Sequence, residues 1–183
     1  MVGEAMGEAL DTSAEGAASN AALSVRLQIE PWAQERPRLT TIGGHARAYD
    51  PPRSRAWKKV ARGFFHAAMI GRPLFEGALE VRIVAVSVCP PSQYRKRTPQ
   101  PRRWNTSPRL DWDNIGKIVC DSMQGVVFLN DGQVAKGSVE RWVGAQDEAP
   151  SVLVEVRCLG PVLVHGADGR ALGVEWTETE ARK

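Results

Sequence analysis

The run Leu79-Glu80-Val81-Arg82-Ile83-Val84-Ala85-Val86-Ser87-Val88 constrains the fold more than any other part of the chain. Its β-branched residues suit the packed, pleated surface of a sheet. Pro90-Pro91 ends it, because proline gives a strand ladder no donor. Such a strand needs neighbours, and the sequence offers several. Ser24-Val25-Arg26-Leu27-Gln28-Ile29-Glu30 alternates polar and apolar residues, the period of a half-buried strand. Val134–Val143 and residues 151–159 are further strand candidates. Val126-Val127-Phe128-Leu129 predicts a short apolar strand or edge, followed by the turn Asn130-Asp131-Gly132. The segment from Pro31 to Pro52 is loop-like, with a hairpin expected around Gly43-Gly44.

Two stretches carry the helical period instead. Over residues 54–69, Trp57, Val60, Ala61, Phe64, Phe65 and Ala68 recur at spacings of three and four, with Ser54 as expected N-cap and Gly71 as stop. Over residues 114–125, Ile115, Ile118, Val119, Ser122 and Met123 form the inward stripe. The expected fold is therefore α+β, a mixed sheet of four to six strands with two main helices in a single domain. Residues 1–22, rich in Ala, Gly, Ser and Glu without apolar period, predict a disordered tail. Residues 23–159 form the expected domain, and residues 160–183 a peripheral tail.

Charge is where composition enters. A net +3 over 183 residues looks bland, but residues 31–159 hold 20 of the 24 bases and 12 of the 21 acids, a net +8. Residues 92–110 contain no acid at all, but Arg95, Lys96, Arg97, Arg102, Arg103 and Arg109, with three prolines and one Trp among them. This reads as an open basic loop. No apolar run approaches the ~18 residues of a membrane span. The opening MVGEAMGEAL has neither a basic leader nor an apolar stretch, which predicts no secretory signal. Cys89, Cys120 and Cys158 are odd in number and far apart, which suits a reducing cytoplasm and buried thiols better than a disulfide framework or a zinc knuckle. His45, His66 and His165 share no motif.

The sharpest chemical feature is Asp111-Trp112-Asp113-Asn114-Ile115-Gly116-Lys117, with Asp131 eighteen residues after Asp113. In extended chain, Asp111 and Asp113 point to one side. Asp113 is the expected cap of the following helix, with Lys117 one turn along it. Carboxylates gathered this way suit a hard divalent cation such as Mg²⁺, which takes about six oxygen ligands and keeps waters or substrate phosphates among them. Without a cation, three clustered carboxylates would repel until one took a proton. Each residue also has a plain structural reading. Asp113 caps a helix, Asp131-Gly132 makes a turn, and Lys117 with Asp121 forms a surface pair worth a few tenths of a kcal/mol.

The pattern Asp111-x-Asp113-Asn114-x-x-Lys117-x-x-x-Asp121, then Gly125-Val126-Val127, then Asn130-Asp131-Gly132-Gln133-Val134, resembles the RusA family of Holliday junction resolvases. Gln34-Glu35-Arg36-Pro37-Arg38, followed by Tyr49-Asp50-Pro51 and a helix, is similar to the opening of its phage-type members. The resemblance covers roughly residues 24–158 and implies a Mg²⁺-dependent endonuclease that works as a homodimer and cuts four-way DNA junctions by paired nicks. Asp111, Asp113 and Asp131 match the family's metal-binding acids and Lys117 its essential lysine. The chain departs from the family at Asn130, where a second acid is often found, and the two tails match no part of it.

On this reading the loop from Arg95 to Arg109, with Arg36 and Arg38, neutralises DNA phosphates. Arg53, Arg55, Lys58, Lys59 and Arg62 are further candidate contacts. Tyr94 and Trp104 either stack on unpaired bases or anchor the loop to the core. Two other functions compete. One is a catalytically weak architectural protein that binds junctions; the other is a metal-dependent hydrolase of a small phosphorylated substrate.

Overall fold

The computed structural model describes residues 22–42, 45–165 and 171–176. The β-branched run forms β4 (Leu79–Ser87), the middle strand of a five-stranded mixed sheet. Its antiparallel neighbour is β7 (Ser151–Cys158), which in turn pairs with β1 (Ala22–Leu27). On the other side β6 (Val134–Val143) runs parallel to β4, and the two-residue β5 (Arg103–Trp104) closes that edge. The order is β1-β7-β4-β6-β5. A parallel neighbour requires a crossover, and here the crossover carries α2 (Trp112–Met123). The sheet thereby fixes where α2 lies.

The helices α2 and α1 (Pro52–Ala68) pack against each other and onto one face of the sheet. Ile115, Ile118, Val119, Ser122 and Met123 are all buried, as the period predicts. Leu79, Val81, Ile83 and Ala85 meet them from β4. The opposite face carries ion pairs across strands: Arg82 binds Glu140 at 2.7 Å and Glu155 at 2.8 Å, and the buried Glu80 takes Arg157 at 2.6 Å. Leu79–Ile83 therefore alternates apolar and charged residues, and the alternation is lost further on, where Val84 and the buried Val86 take the positions in register with Glu80 and Arg82.

Several expectations are corrected. α1 begins at Pro52 behind Pro51, and Ser54 is buried inside it, its hydroxyl accepting the Glu35 amide at 3.3 Å. Val60 is about half exposed and does not belong to the inward stripe. Val126, Val127 and Phe128 are buried but form a turn, linked to Phe75 by an isolated bridge. The turn starts at Gly125, whose φ of +71° places it in the left-handed region, and the Gly125 amide donates to Phe128 O at 2.7 Å. Within the expected peripheral tail, β8 (Pro161–His165) pairs antiparallel with β9 (Ala171–Trp176) as a separate two-stranded sheet. The expected hairpin around Gly43-Gly44 is present as β2 (Arg38–Ile42) and β3 (His45–Tyr49). The expected disordered tail lies outside the described residues, except for Ala22, which opens β1.

Candidate active site

Asp111 and Asp113 stand at the start of α2, but not as the sequence suggested. Asp111, not Asp113, is the N-cap; its φ and ψ of −64° and 135° are extended, and its carbonyl accepts the Ile115 amide at 3.0 Å. Asp113 lies inside the first turn. The two are therefore not consecutive same-side positions of an extended strand. The positive end of the helix dipole favours negative charge at both. Both are exposed, as is Lys117 one turn further on.

The approach to this helix is held from two sides. Arg141 on β6 donates its guanidinium to the carbonyls of Ser107, at 3.3 Å, and Leu110. The Gln34 amide donates to Asn114 O at 3.0 Å. The residue before Asp111 and the residue after Asp113 are thus each pinned by a distant segment. Sequence reasoning missed Arg141, because nothing local marks an arginine whose partners lie some thirty residues back.

Asp131 opens a single tight helical turn, Asp131–Gln133, and Gln133 locks it. The Gln133 side-chain oxygen accepts the amides of Leu129 at 2.8 Å and Asn130 at 3.2 Å, while its nitrogen donates to Phe75 O at 3.0 Å and Gly77 O at 3.3 Å. Asn130 completes a capping box by accepting the Gly132 amide at 3.0 Å. The Asn130-x-x-Gln133 spacing carries that signal in the sequence, where Asn130 is read as a turn residue and as a departure from the family pattern. Here it shapes the turn that presents Asp131. Asp131 is exposed, and its charge reaches Cys120 on α2. Burial first, then Asp121 and Asp131, push the Cys120 thiol up to about 11.

Among the described residues no ion pair engages Asp111, Asp113, Asp131 or Lys117. Nor do three or more His, Cys, Asp or Glu side chains stand together there as a metal-binding group. The expected three-carboxylate cluster is therefore not assembled. The donor chemistry still fits a hard cation: these are exposed carboxylate oxygens without a cationic partner, and Mg²⁺ is usually held by one or two carboxylates plus substrate phosphates.

The basic loop proves more structured than its composition suggests. Arg102 forms a two-point pair with Glu148, and Arg103 donates to the Gln93 side chain. Arg36, Arg38, Lys96, Arg97 and Arg109 are exposed. Arg95 is exposed too, and its backbone amide donates to the Gln146 side-chain oxygen at 2.8 Å. Among the other candidate contacts, Lys58 is engaged by Asp50 and Asp121, and Arg62 by Gln124 O. Trp104 stacks on Trp142, with ring centroids 3.6 Å apart, and is nonetheless 61% exposed. Between this loop, the end of β4 and the segment after β1 lies a cleft of about 1020 Å³ that reaches Leu110, immediately before Asp111.

The family model of endodeoxyribonuclease RusA matches residues 28–157, a span that contains every element from β2 to α2 and all four chemical candidates. Among curated proteins, none matches the chain closely enough to stand as a relative.

Proposed function

The chain belongs to the RusA endodeoxyribonuclease family, and from that premise we propose that it is a Mg²⁺-dependent endonuclease resolving Holliday junctions by paired nicks in DNA recombination and repair. The observation that carries this reading is the set of exposed Asp111, Asp113, Asp131 and Lys117, none in an ion pair among the described residues, together with a surface of exposed arginines. Groups reserved for structure would be engaged with neighbours, as Asp121 and Arg102 are.

Asp111, Asp113 and Asp131, which do not stand as one metal-binding group among the described residues, would be brought onto the cation when it binds with the substrate phosphate. When bound, Mg²⁺ neutralises charge on the scissile phosphate and makes the attacking water more acidic. Lys117, a compact point charge, faces the charge that develops on the phosphate in the transition state. Arg36, Arg38, Arg95, Lys96, Arg97 and Arg109 neutralise neighbouring phosphates; Arg102 and Arg103 act first on the loop itself. A four-way junction presents two scissile strands related by near-twofold symmetry, so a C2 homodimer with one site per subunit matches it. Three free cysteines agree with a cytoplasmic setting.

Incubation of the purified chain with an end-labelled four-way junction, with and without Mg²⁺, tests the proposal. Symmetric nicks that require the metal are expected. Tight binding without nicks would replace the enzyme with an architectural junction binder. Absence of DNA binding at low salt would bring forward a hydrolase of small phosphorylated substrates.

A further inference from the structure

The cleft before Asp111 has the makings of a second binding site. Trp32 and Trp104 supply aromatic surface, Asn105 polar groups, and Arg53, Arg103 and Arg109 positive charge. Arg53 lies 5.7 Å from the centroid of the Trp32 ring, a cation–π arrangement that orders both side chains. Asn105 is buried and tied to Ser87 Oγ at 3.4 Å and to the Ser107 amide at 2.9 Å, so the floor is built rather than collapsed. Trp142 backs Trp104, yet most of the Trp104 side chain stays exposed. This is a costly arrangement for a residue that only anchors a loop. The cleft volume is at the upper end of ordinary ligand sites.

We propose that this cleft receives an unpaired nucleotide of the DNA substrate, its base stacked on Trp104 and its phosphate against Arg109. The inference rests on the reading of the chain as a nuclease of branched DNA and adds where an unstacked base is kept. A base inside a duplex has both faces covered and cannot present one to an indole; a base at a strand exchange point can. The charges agree with this occupant: three guanidiniums line the cleft against the two carboxylates of Glu30 and Glu35. Arg109 and Leu110 lead directly into Asp111, which places the cleft next to the first of the candidate acids.

The test uses the full chain in EDTA, where cleavage is suppressed, and junctions carrying the fluorescent base analogue aminopurine at successive positions about the crossover. Wild type should change the emission at one position by about twofold or more. Trp104→Phe should keep that change. Trp104→Leu, which retains apolar packing on Trp142 but no aromatic face, should abolish it and weaken junction affinity by about fivefold or more, as loss of one base–aromatic stack requires. Duplex affinity should be unaltered. Wild-type emission from Trp104→Leu, or no emission change in a wild-type complex that forms, would overturn the nucleotide site and leave the nuclease reading standing. Failure to bind any junction at low salt would overturn the nuclease reading itself, and this inference with it. A thermal melt of each variant identifies misfolding; should Trp104→Leu misfold, Arg109→Gln takes its place, with weakened junction affinity and a reduced emission change expected, and wild-type values of both overturning the nucleotide site.

Discussion

Lys58 on α1 reaches the Asp121 carboxylate on α2 at 3.1 Å and thereby takes the acid that stands four residues after Lys117. Asp50, just before α1, completes the arrangement on Lys58 at 2.5 Å. Burial alone would lower the Lys58 pKa, but the hydrogen bonds and charges of Asp50 and Asp121 outweigh it, so the net shift is upward. The two helices are clamped by this triad, and Lys117 has no ion-pair partner among the described residues. Stability and chemistry are divided between two lysines that the sequence alone could not separate.

That division predicts opposite phenotypes. Lys117→Ala should lower single-turnover cleavage on the order of 10²-fold, as removal of a transition-state donor does, and leave the thermal melt close to wild type. Lys117→Arg should rescue poorly, because a planar fork does not replace a point charge. Asp121→Ala and Lys58→Met should each cost about 1.5–3 kcal/mol of stability, the range for hydrogen bonds to charged groups, and affect cleavage mainly through folding. Melts and saturating-enzyme rates on the four variants check this; equal losses for Lys117→Ala and Asp121→Ala would refute it.

For the acids, Asp111→Asn, Asp113→Asn and Asp131→Asn should each abolish nicking in Mg²⁺ while junction binding is kept or tightened. Removing a negative charge beside DNA phosphate cannot weaken the electrostatic attraction. Cleavage gels and binding isotherms on the same preparations are the measurement. A variant that nicks at the wild-type rate removes its residue from the site.

Gln133 should behave as a positioning residue. Gln133→Ala leaves the Leu129 and Asn130 amides and the Phe75 and Gly77 carbonyls to find other partners, which should cost about 1–3 kcal/mol and reduce cleavage more than binding. Gln133→Glu keeps an acceptor for the two amides but cannot donate to the two carbonyls, so an intermediate loss is expected. If both variants melt lower yet cleave normally per folded molecule, Gln133 serves the fold alone.

The loop arginines should separate by their partners. Replacing Arg95, Lys96 and Arg97 together by Ala should reduce the slope of log K against log salt by up to about 3. Arg102→Ala should change that slope little, because Arg102 is already neutralised by Glu148, whose carboxyl it holds below its ordinary range. Titrations at several salt concentrations give the slopes. A larger effect from Arg102 than from the triple substitution would move the DNA path toward the Glu148 side of the loop.

Cys120 gives a readout of the site independent of cleavage. Its thiol is raised from 9.0 to about 11, and only the thiolate is nucleophilic. At pH 8 it should carry about 100-fold less thiolate than an ordinary cysteine, and its alkylation rate should keep rising tenfold per pH unit well beyond pH 9. Peptide mapping after timed exposure to iodoacetamide follows it. A rate that levels off near pH 9 contradicts the buried, acid-flanked setting.

The sequence by itself determined the elements whose cause is local. The spacing from Ile115 to Met123 is a helical stripe wherever the chain packs, because the period follows from backbone geometry, and all five of its residues are buried. The β-branched run became a strand, and Gly43-Gly44 sits between two paired strands, for equally local reasons. The aspartates and Lys117 could be named because their types and spacing are one-dimensional facts. Only the tertiary structure decided what each does beside its neighbours. Lys58 and Asp121 are 63 residues apart, and whether Asp121 belongs to Lys117 or Lys58 depends on how closely the two helices approach. Pro51 and Pro52 preset the turn into α1, which shifted its start and buried Ser54. Arg102 looked like its loop neighbours until the chain brought Glu148 against it. The cleft draws its walls from the segment after β1, the start of α1, the end of β4 and the basic loop. Concavity is a property of segments meeting in space, and no window of the sequence contains it.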